Sequence, residues 1–208
     1  MNYFSYVIEH DLGLAPNPFW NYCTLAVCKP NIRNNKNLEI GDWIIGTGSK
    51  KIGKLNHLIY AMQLSEKITF EEYWADGRFI FKKPIINGSL KQMYGDNFYH
   101  KDLITCEWIQ ELSAHSVTDK QKHLKKDTST NVVLVAEKFY YLGDSSILIP
   151  DDFKVICKKG QGMKYKELSE VGILFIDWVK SNFKTGISGD PVNWIQYKNE
   201  HNQIKLDF

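Results

Sequence analysis

Short runs of alternating or clustered apolar residues fill the first two-thirds of the chain, and a helical stripe replaces them near its end. Tyr3 to Glu9, rich in aromatic and β-branched residues, predicts a first strand, and Cys23 to Cys28 predicts a second that Lys29-Pro30 closes. Between them His10-Asp-Leu-Gly-Leu-Ala-Pro-Asn-Pro-Phe19 predicts a loop whose two prolines fix an extended path. Asn31 to Asn37 is polar and reads as a further loop. Runs at about 42–47 and 57–65 predict a hairpin joined by the lysine-bearing Ser49 to Lys54. Thr69, with Glu72 three positions on, predicts a capped short helix to Trp74. From 75 to 126 the periodicity fades, and a structureless stretch of that length is often functional. Asn131 to Ala136 and Lys138 to Leu142 predict two more strands. Over 166–183 the positions Leu168, Val171, Leu174, Phe175, Trp178 and Val179 fall on one helical face, and Asp190-Pro191 predicts the start of a last helix to about Asn199.

This order predicts an α+β fold in a single domain over 1–208. Residues 1–150 are expected to form a curved, mostly antiparallel sheet or small open β-barrel, and a helical part at 160–208 is expected to flank one sheet face. At 208 residues with 43% hydrophobic content the chain has enough apolar material for a core. Its 26 basic and 24 acidic residues leave a formal charge of +2, which excludes a polycationic coat for DNA and confines nucleic-acid contact to local patches. Aromatic residues make up 13% of the chain; most serve packing, and a ring free to stack on a base contributes roughly 1–3 kcal/mol. The cysteines at 23, 28, 106 and 157 include no CxxC pair, so they read as reduced thiols and no metal is expected. Nothing in the sequence specifies a cofactor. The start lacks the pattern of a signal peptide and no run reaches about 18 apolar residues, so a soluble cytoplasmic protein without membrane contact is expected.

Several short segments carry chemistry. Gly41-Asp42 reads as a tight turn feeding a strand that ends on Gly46-Thr47-Gly48-Ser49, a backbone open to a ligand; the same glycines also build ordinary hairpins. His10 and Asp11 sit where the first strand ends, placed for acid–base work or for a simple Asx turn. In Tyr94-Gly-Asp-Asn-Phe-Tyr-His100, Asp96 and Asn97 can read the edge of a base, Tyr99 can stack, and His100 can meet a phosphate. The same Gly-Asp-Asn can instead bond its own backbone as a turn. Lys126-Asp127-Thr-Ser-Thr130 sets a carboxylate and hydroxyls at one end of a strand, or is a polar loop. Gly160-Gln-Gly162, among Lys158, Lys159 and Lys164, offers amides and charge to a phosphate, or is a helix-entry turn. GxSxG, HExxH, Walker A and GxGxxG are all absent.

Taken together, His10–Phe19, Cys23–Pro30, Gly41–Ser49, Tyr94–His100 and Asp127-Thr-Ser-Thr resemble the second type of nucleotide modification associated domain, in an order and spacing that span nearly the whole chain. The resemblance implies association with systems that make, process or recognise modified bases in phage and bacterial DNA. The chain departs from it at Met163, where a His is expected after the glycine pair. A shorter stretch, Gly41-Asp42 with the strands to Thr47 and from Leu58, resembles PUA-like barrels, including EVE- and YTH-type readers. That second resemblance implies an aromatic pocket for one flipped base, with Trp43, Trp20 or Phe19 stacking on it.

The expected function is therefore binding of a nucleotide or modified DNA base between the His10–Phe19 loop, the Gly46–Ser49 strand end and the Tyr94–His100 loop. In that scheme Asn17, Asp96 and Asn97 read polar edges, Phe19 and Trp43 supply rings, and Thr47, Ser49, Tyr99 and Asp127 complete the base site. Arg33, Lys50, Lys51 and Lys83 hold phosphate. An enzyme acting on a nucleotide or DNA base, a transferase or glycosidic-bond hydrolase, is the alternative, with His10, Asp11, Asp96 and His100 as acid–base groups. A third reading is a phage or bacterial defence protein that binds a small nucleotide signal or a protein partner.

Overall fold

A computed structural model describes residues 1–115, 120–160, 162–195 and 197. Its strands are β1 (Tyr3–Ile8), β2 (Cys23–Leu25), β3 (Trp43–Gly48), β4 (His57–Gln63), β5 (Glu66–Ile68), β6 (Tyr99–Lys101), β7 (Trp108–Gln110), β8 (Val133–Ala136), β9 (Lys138–Tyr141), β10 (Ile147–Leu148), β11 (Met163–Lys164) and β12 (Gly186–Ile187). Its α-helices are α1 (Pro30–Arg33), α2 (Phe70–Ala75), α3 (Leu90–Met93), α4 (Lys120–Asp127) and α5 (Ser169–Asn182).

The central sheet runs β11-β1-β3-β4-β9-β12, with β10 paired to β4. Antiparallel pairs predominate, but β1 lies parallel to β3 from Tyr3↔Trp43 to Ile8↔Gly48, and β12 lies parallel to β9. A parallel neighbour needs a long crossover, and the segment from Glu9 to Asp42, which holds β2 and α1, provides it. The fold is thus α+β with mixed sheets, and no closed barrel forms among the described residues.

A second sheet, β2-β8-β5, packs beside the first, and the chain passes between the two at single corners. Glu137 separates β8 in one sheet from β9 in the other; Leu64-Ser65 separates β4 from β5. One run at 57–65 is expected from the sequence, and this corner ends it at Gln63.

Alternation along the strands sends side chains to two cores. Tyr3, Trp43, Ile45 and Tyr140 pack with Phe175, Ile176 and Val179 of α5. Phe4, Tyr6, Ile8 and Ile44 pack instead with Cys23 and Leu25 of β2 and with Leu134 and Ala136 of β8. The long helix α5 therefore covers one face of the sheet, while the second sheet, with Ile32 of α1, covers the other; α2 packs apart from both, with Phe70 and Tyr73 beside Val133 and Val135 of β8. On α5 the buried residues are Gly172, Phe175, Ile176 and Val179, a stripe at the i, i+3, i+4, i+7 spacing, while Leu174 is 62% exposed. Gly172 lets the helix sit directly on the Tyr3 ring.

The expected capping box is present: the Thr69 side chain accepts from the Glu72 amide at 3.1 Å and Glu72 returns to the Thr69 amide at 2.7 Å. The stretch 75–126 is not structureless. It holds a 3₁₀ turn at Gly77–Lys82, α3, the hairpin β6–β7 and α4. These elements are three to eight residues long, too short for a periodic pattern to show. Near the end the structure has a 3₁₀ turn at Val192–Trp194, with Ile195 and Tyr197 helical; the rest of the expected last helix lies outside the described residues.

No helix among the described residues is long and apolar enough to cross a membrane.

Candidate functional site

Where β1 ends, Glu9 and His10 leave the sheet and enter a cleft of about 450 Å³. Leu12, Leu14 and Tyr94 give it an apolar side; Cys28, Lys29, His115, His123 and Lys126 give it a polar, basic one. An adjoining cleft of about 320 Å³ is bounded by Gly160 and Gly162 on its far side. Glu9, Lys29 and Lys126 line both clefts.

The basic wall depends on a tight turn between β2 and α1. Cys28 and Lys29 have φ of 56° and 44°, a left-handed conformation that side-chain-bearing residues reach at roughly 1–2 kcal/mol each. Pro30 then opens α1 with its fixed φ. The turn is held from several directions. The Cys28 amide donates to Asp127 Oδ1 at 2.8 Å, and Arg33 donates to the Cys28 carbonyl at 2.9 Å, to the Val132 carbonyl at 2.8 Å and to the Asp127 carbonyl. Lys29 Nζ donates to the Val7 carbonyl at 3.2 Å and lies 4.7 Å from the Tyr6 ring centroid.

Behind this turn three reactive side chains meet. A thiol sulfur from Cys28, a ring nitrogen from His115 and a carboxylate oxygen from Asp127 all lie within 4.8 Å of one another. His115 Nε2 is 3.8 Å from Asp127 Oδ2, is buried, and has no hydrogen-bond partner. Tyr99 donates to the same Oδ2 at 3.3 Å, and the His123 ring lies 4.4 Å from that of His115. Burial first, then the Asp127 charge, pushes the Cys28 thiol up to about 11. Burial lowers the His115 pKa, with Asp127 pulling back against it.

The structure gathers some of the residues picked from the sequence and disperses others. His10 lines the cleft with Lys51 Nζ 2.7 Å from its Nε2, and Tyr99, Asp127 and Arg33 stand together around the Cys28 turn. Arg33 is 1% exposed and its guanidinium is engaged by carbonyls, so it braces the turn instead of presenting charge.

Asp96 is wholly buried: Thr24 and Tyr73 hydroxyls each donate to it at 2.6 Å. Beside it Lys82 is also buried and gives its ammonium to Asn17 O and Oδ1 and to Tyr22 O at 3.0, 2.7 and 3.0 Å. Asn17 further donates to the Tyr94 carbonyl at 3.1 Å, and Asn97 donates to the Tyr73 carbonyl at 2.9 Å. The His10–Phe19 and Tyr94–His100 segments do converge, through this buried network in the interior; the first reaches the cleft at His10, Leu12, Leu14 and Ala15, the second at Tyr94.

Asp11 is buried too. It accepts from Tyr141 at 2.5 Å and from the Val192 amide at 3.0 Å, tying the C-terminal segment to the end of β1. Phe19 stacks on Trp194, and Trp43 faces α5 beside Tyr140 on the opposite side of the sheet.

At the Gly46–Ser49 strand end, the space a ligand would need is filled: the Tyr60 ring occupies the position of a Cβ on Gly46, and Lys54 does so at Gly48. Thr47 donates to the Tyr6 carbonyl at 3.2 Å, Ser49 is 8% exposed, and Lys50 points to solvent on a 3₁₀ turn. His100 stacks on Trp74 at 4.1 Å and pairs with Glu111 at 2.9 Å; Lys83 Nζ lies 3.6 Å from the same Trp74 ring. That cluster is separate from the cleft lining.

Cys28, Lys29, His115, His123 and Lys126 were not singled out as site residues by the sequence. Cys28 and His115 are 87 positions apart, so no short spacing links them; the adjacent clues were the two histidines, at 115 and 123, ahead of Lys126-Asp127.

The fold and cleft define an α+β protein with a basic, histidine-bearing cleft at the end of a parallel strand pair. The chain belongs to the nucleotide modification associated domain 2 family, whose match covers residues 1–198. No curated protein and no solved structure matches it. The family name places the chain with nucleotide modification systems, consistent with nucleic-acid partners.

Proposed function

We propose that the protein binds a nucleotide or a modified DNA base in the paired clefts, base in the larger and phosphate in the smaller. The observation that carries this is that Lys29 and Lys126 line both spaces. A nucleoside needs an apolar wall with a few polar groups, in a space of the size such pockets have. Leu12, Leu14 and Tyr94 supply the wall, His10 and His115 the polar edge. Phosphate needs positive charge and backbone amides, which Lys29 and Lys126 and the glycines Gly160 and Gly162 offer along the smaller cleft. The finer form, a single flipped base held as in PUA-like readers, draws on the same wall, with Tyr94 as the available ring.

Three imidazoles, His10, His115 and His123, share one cleft, and this favours as a second reading an enzyme that transfers or hydrolyses at a nucleotide or base. Phage or defence context, a cytoplasmic location and a protein partner accompany these readings as proposals. The test is the ligand itself. Protein purified without added nucleotide is denatured, and the released fraction is read by its 260/280 nm absorbance and by mass spectrometry. A nucleotide or base in stoichiometric amount is the expected result; wild type that releases none and binds none from a panel of mononucleotides and modified oligonucleotides removes the proposal.

A further inference from the structure

We infer that Cys28, His115 and Asp127 bind one divalent cation of the zinc class in the wall of the larger cleft. Nothing in this inference requires the nucleotide reading. A sulfur donor from Cys28 and nitrogen and oxygen donors from the far-off His115 and Asp127 lie within 4.8 Å of one another. Bonds of about 2.0–2.3 Å around a tetrahedral ion put its ligands roughly 3.5 Å apart. His115 Nε2 and Asp127 Oδ2 are already 3.8 Å apart, so small side-chain rotations complete the set.

The surroundings are those of a held site. Tyr99 and the Cys28 amide fix the two carboxylate oxygens of Asp127, and Arg33 fixes its carbonyl, the outer-shell bracing that metal ligands need. The left-handed backbone at Cys28 is a local cost placed where the thiol meets its partners. His115 Nε2 is buried without a hydrogen-bond partner, and coordination of a cation would use its lone pair. Cys28 and His115 both line the cleft, so the fourth position opens toward it, where water completes the shell. Three protein ligands with one open position is the arrangement of catalytic zinc.

A Cys–His–Asp set also suggests a nucleophile. The two readings differ in what the thiol meets: with a cation bound, the metal–sulfur bond forms as the thiol proton leaves to solvent, and the sulfur is withdrawn from alkylation.

The test titrates the full-length metal-free protein with Co²⁺ and then Zn²⁺, with no nucleotide present, so its outcome is independent of nucleotide binding. One equivalent of Co²⁺ and a thiolate-to-cobalt charge-transfer band that Zn²⁺ abolishes are expected. Cys28→Ser loses the band, His115→Gln binds at least ~10-fold more weakly, and the exposed Cys106→Ser keeps both band and affinity. Thermal melts without metal confirm that each variant is folded. No band in wild type, a band that survives Cys28→Ser, or one lost in Cys106→Ser overturns the inference. So does rapid alkylation of Cys28 at neutral pH that Zn²⁺ does not slow, the outcome a nucleophilic thiolate gives.

Discussion

Replacing Asp96 by alanine tests whether that carboxylate is structural or ligand-reading. In the native protein Asp96 is 0% exposed, accepts from Thr24 and Tyr73 at 2.6 Å each, and shares its interior with the Lys82 ammonium. Burial raises its pKa, and Lys82, Thr24 and Tyr73 pull it back toward the charged form. Alanine leaves two buried hydroxyls without their acceptor and a buried ammonium without its counter-charge. Removing the charged acceptor of two buried hydrogen bonds, and the nearby counter-charge of Lys82, costs about 3–5 kcal/mol. That is a large part of the ~5–15 kcal/mol that stabilises an ordinary domain. For a chain of this size each kcal/mol moves Tm by roughly 2–4 °C, so a fall of about 6–20 °C is expected. Asp96→Asn keeps the volume and one acceptor but not the charge, and should fall between the two. Thermal and urea unfolding of the three proteins give the answer. An Asp96→Ala variant that melts within about 2 °C of wild type yet loses ligand selectivity would refute the structural assignment and return Asp96 to a solvent-reached site.

Gly46→Ala drives a methyl into the Tyr60 ring and Ile8, so overpacking of ~1–3 kcal/mol and a Tm lower by several degrees are expected; an unchanged melt would mean that the strand end has free space. In the metal-free protein a thiol reagent at pH 8 should modify the exposed Cys106 first, Cys28 and Cys157 slowly, and the fully buried Cys23 only on unfolding, as peptide mapping would show. Burial lowers Lys82 from 10.5 to about 8, so between those values the unfolded chain holds a proton that the native protein has released. Stability from this group therefore rises with pH across that window, and wild type should gain on Lys82→Met in urea melts from pH 8 to 10.5; a flat or falling difference would place the ammonium in water.

The strands β1, β3, β4, β8 and β9, the capped α2 and the stripe of α5 were legible because each carries a local signature: alternation, a capping box, or a 3.6-residue period. The two-residue strands β10, β11 and β12 carry none, since their pairing is decided by partners far along the chain. The parallel pairing of β1 with β3 was hidden for the same reason. The motif segments were correctly seen as dense in polar groups, but density does not say which way a side chain points. At Asp96, Asn97 and Asn17 the side chains make their hydrogen bonds inside the domain, where most buried polar groups find partners. The cleft depends instead on a left-handed turn at Cys28-Lys29 and on histidines from a stretch without periodicity.

In the proposed site Lys29 and Lys126 hold the phosphate of a nucleotide whose base fills the larger cleft. Isothermal titration of wild type, Lys29→Ala and Lys126→Ala with nucleoside phosphates and modified oligonucleotides, at low and raised salt, tests it most directly. Each lysine should contribute about 1.5–3 kcal/mol as a charge-assisted contact, so saturable one-site binding should weaken at least ~10-fold in each variant and fall with salt. No saturable binding by wild type, or affinity that neither substitution alters, would rule out phosphate binding at these two lysines.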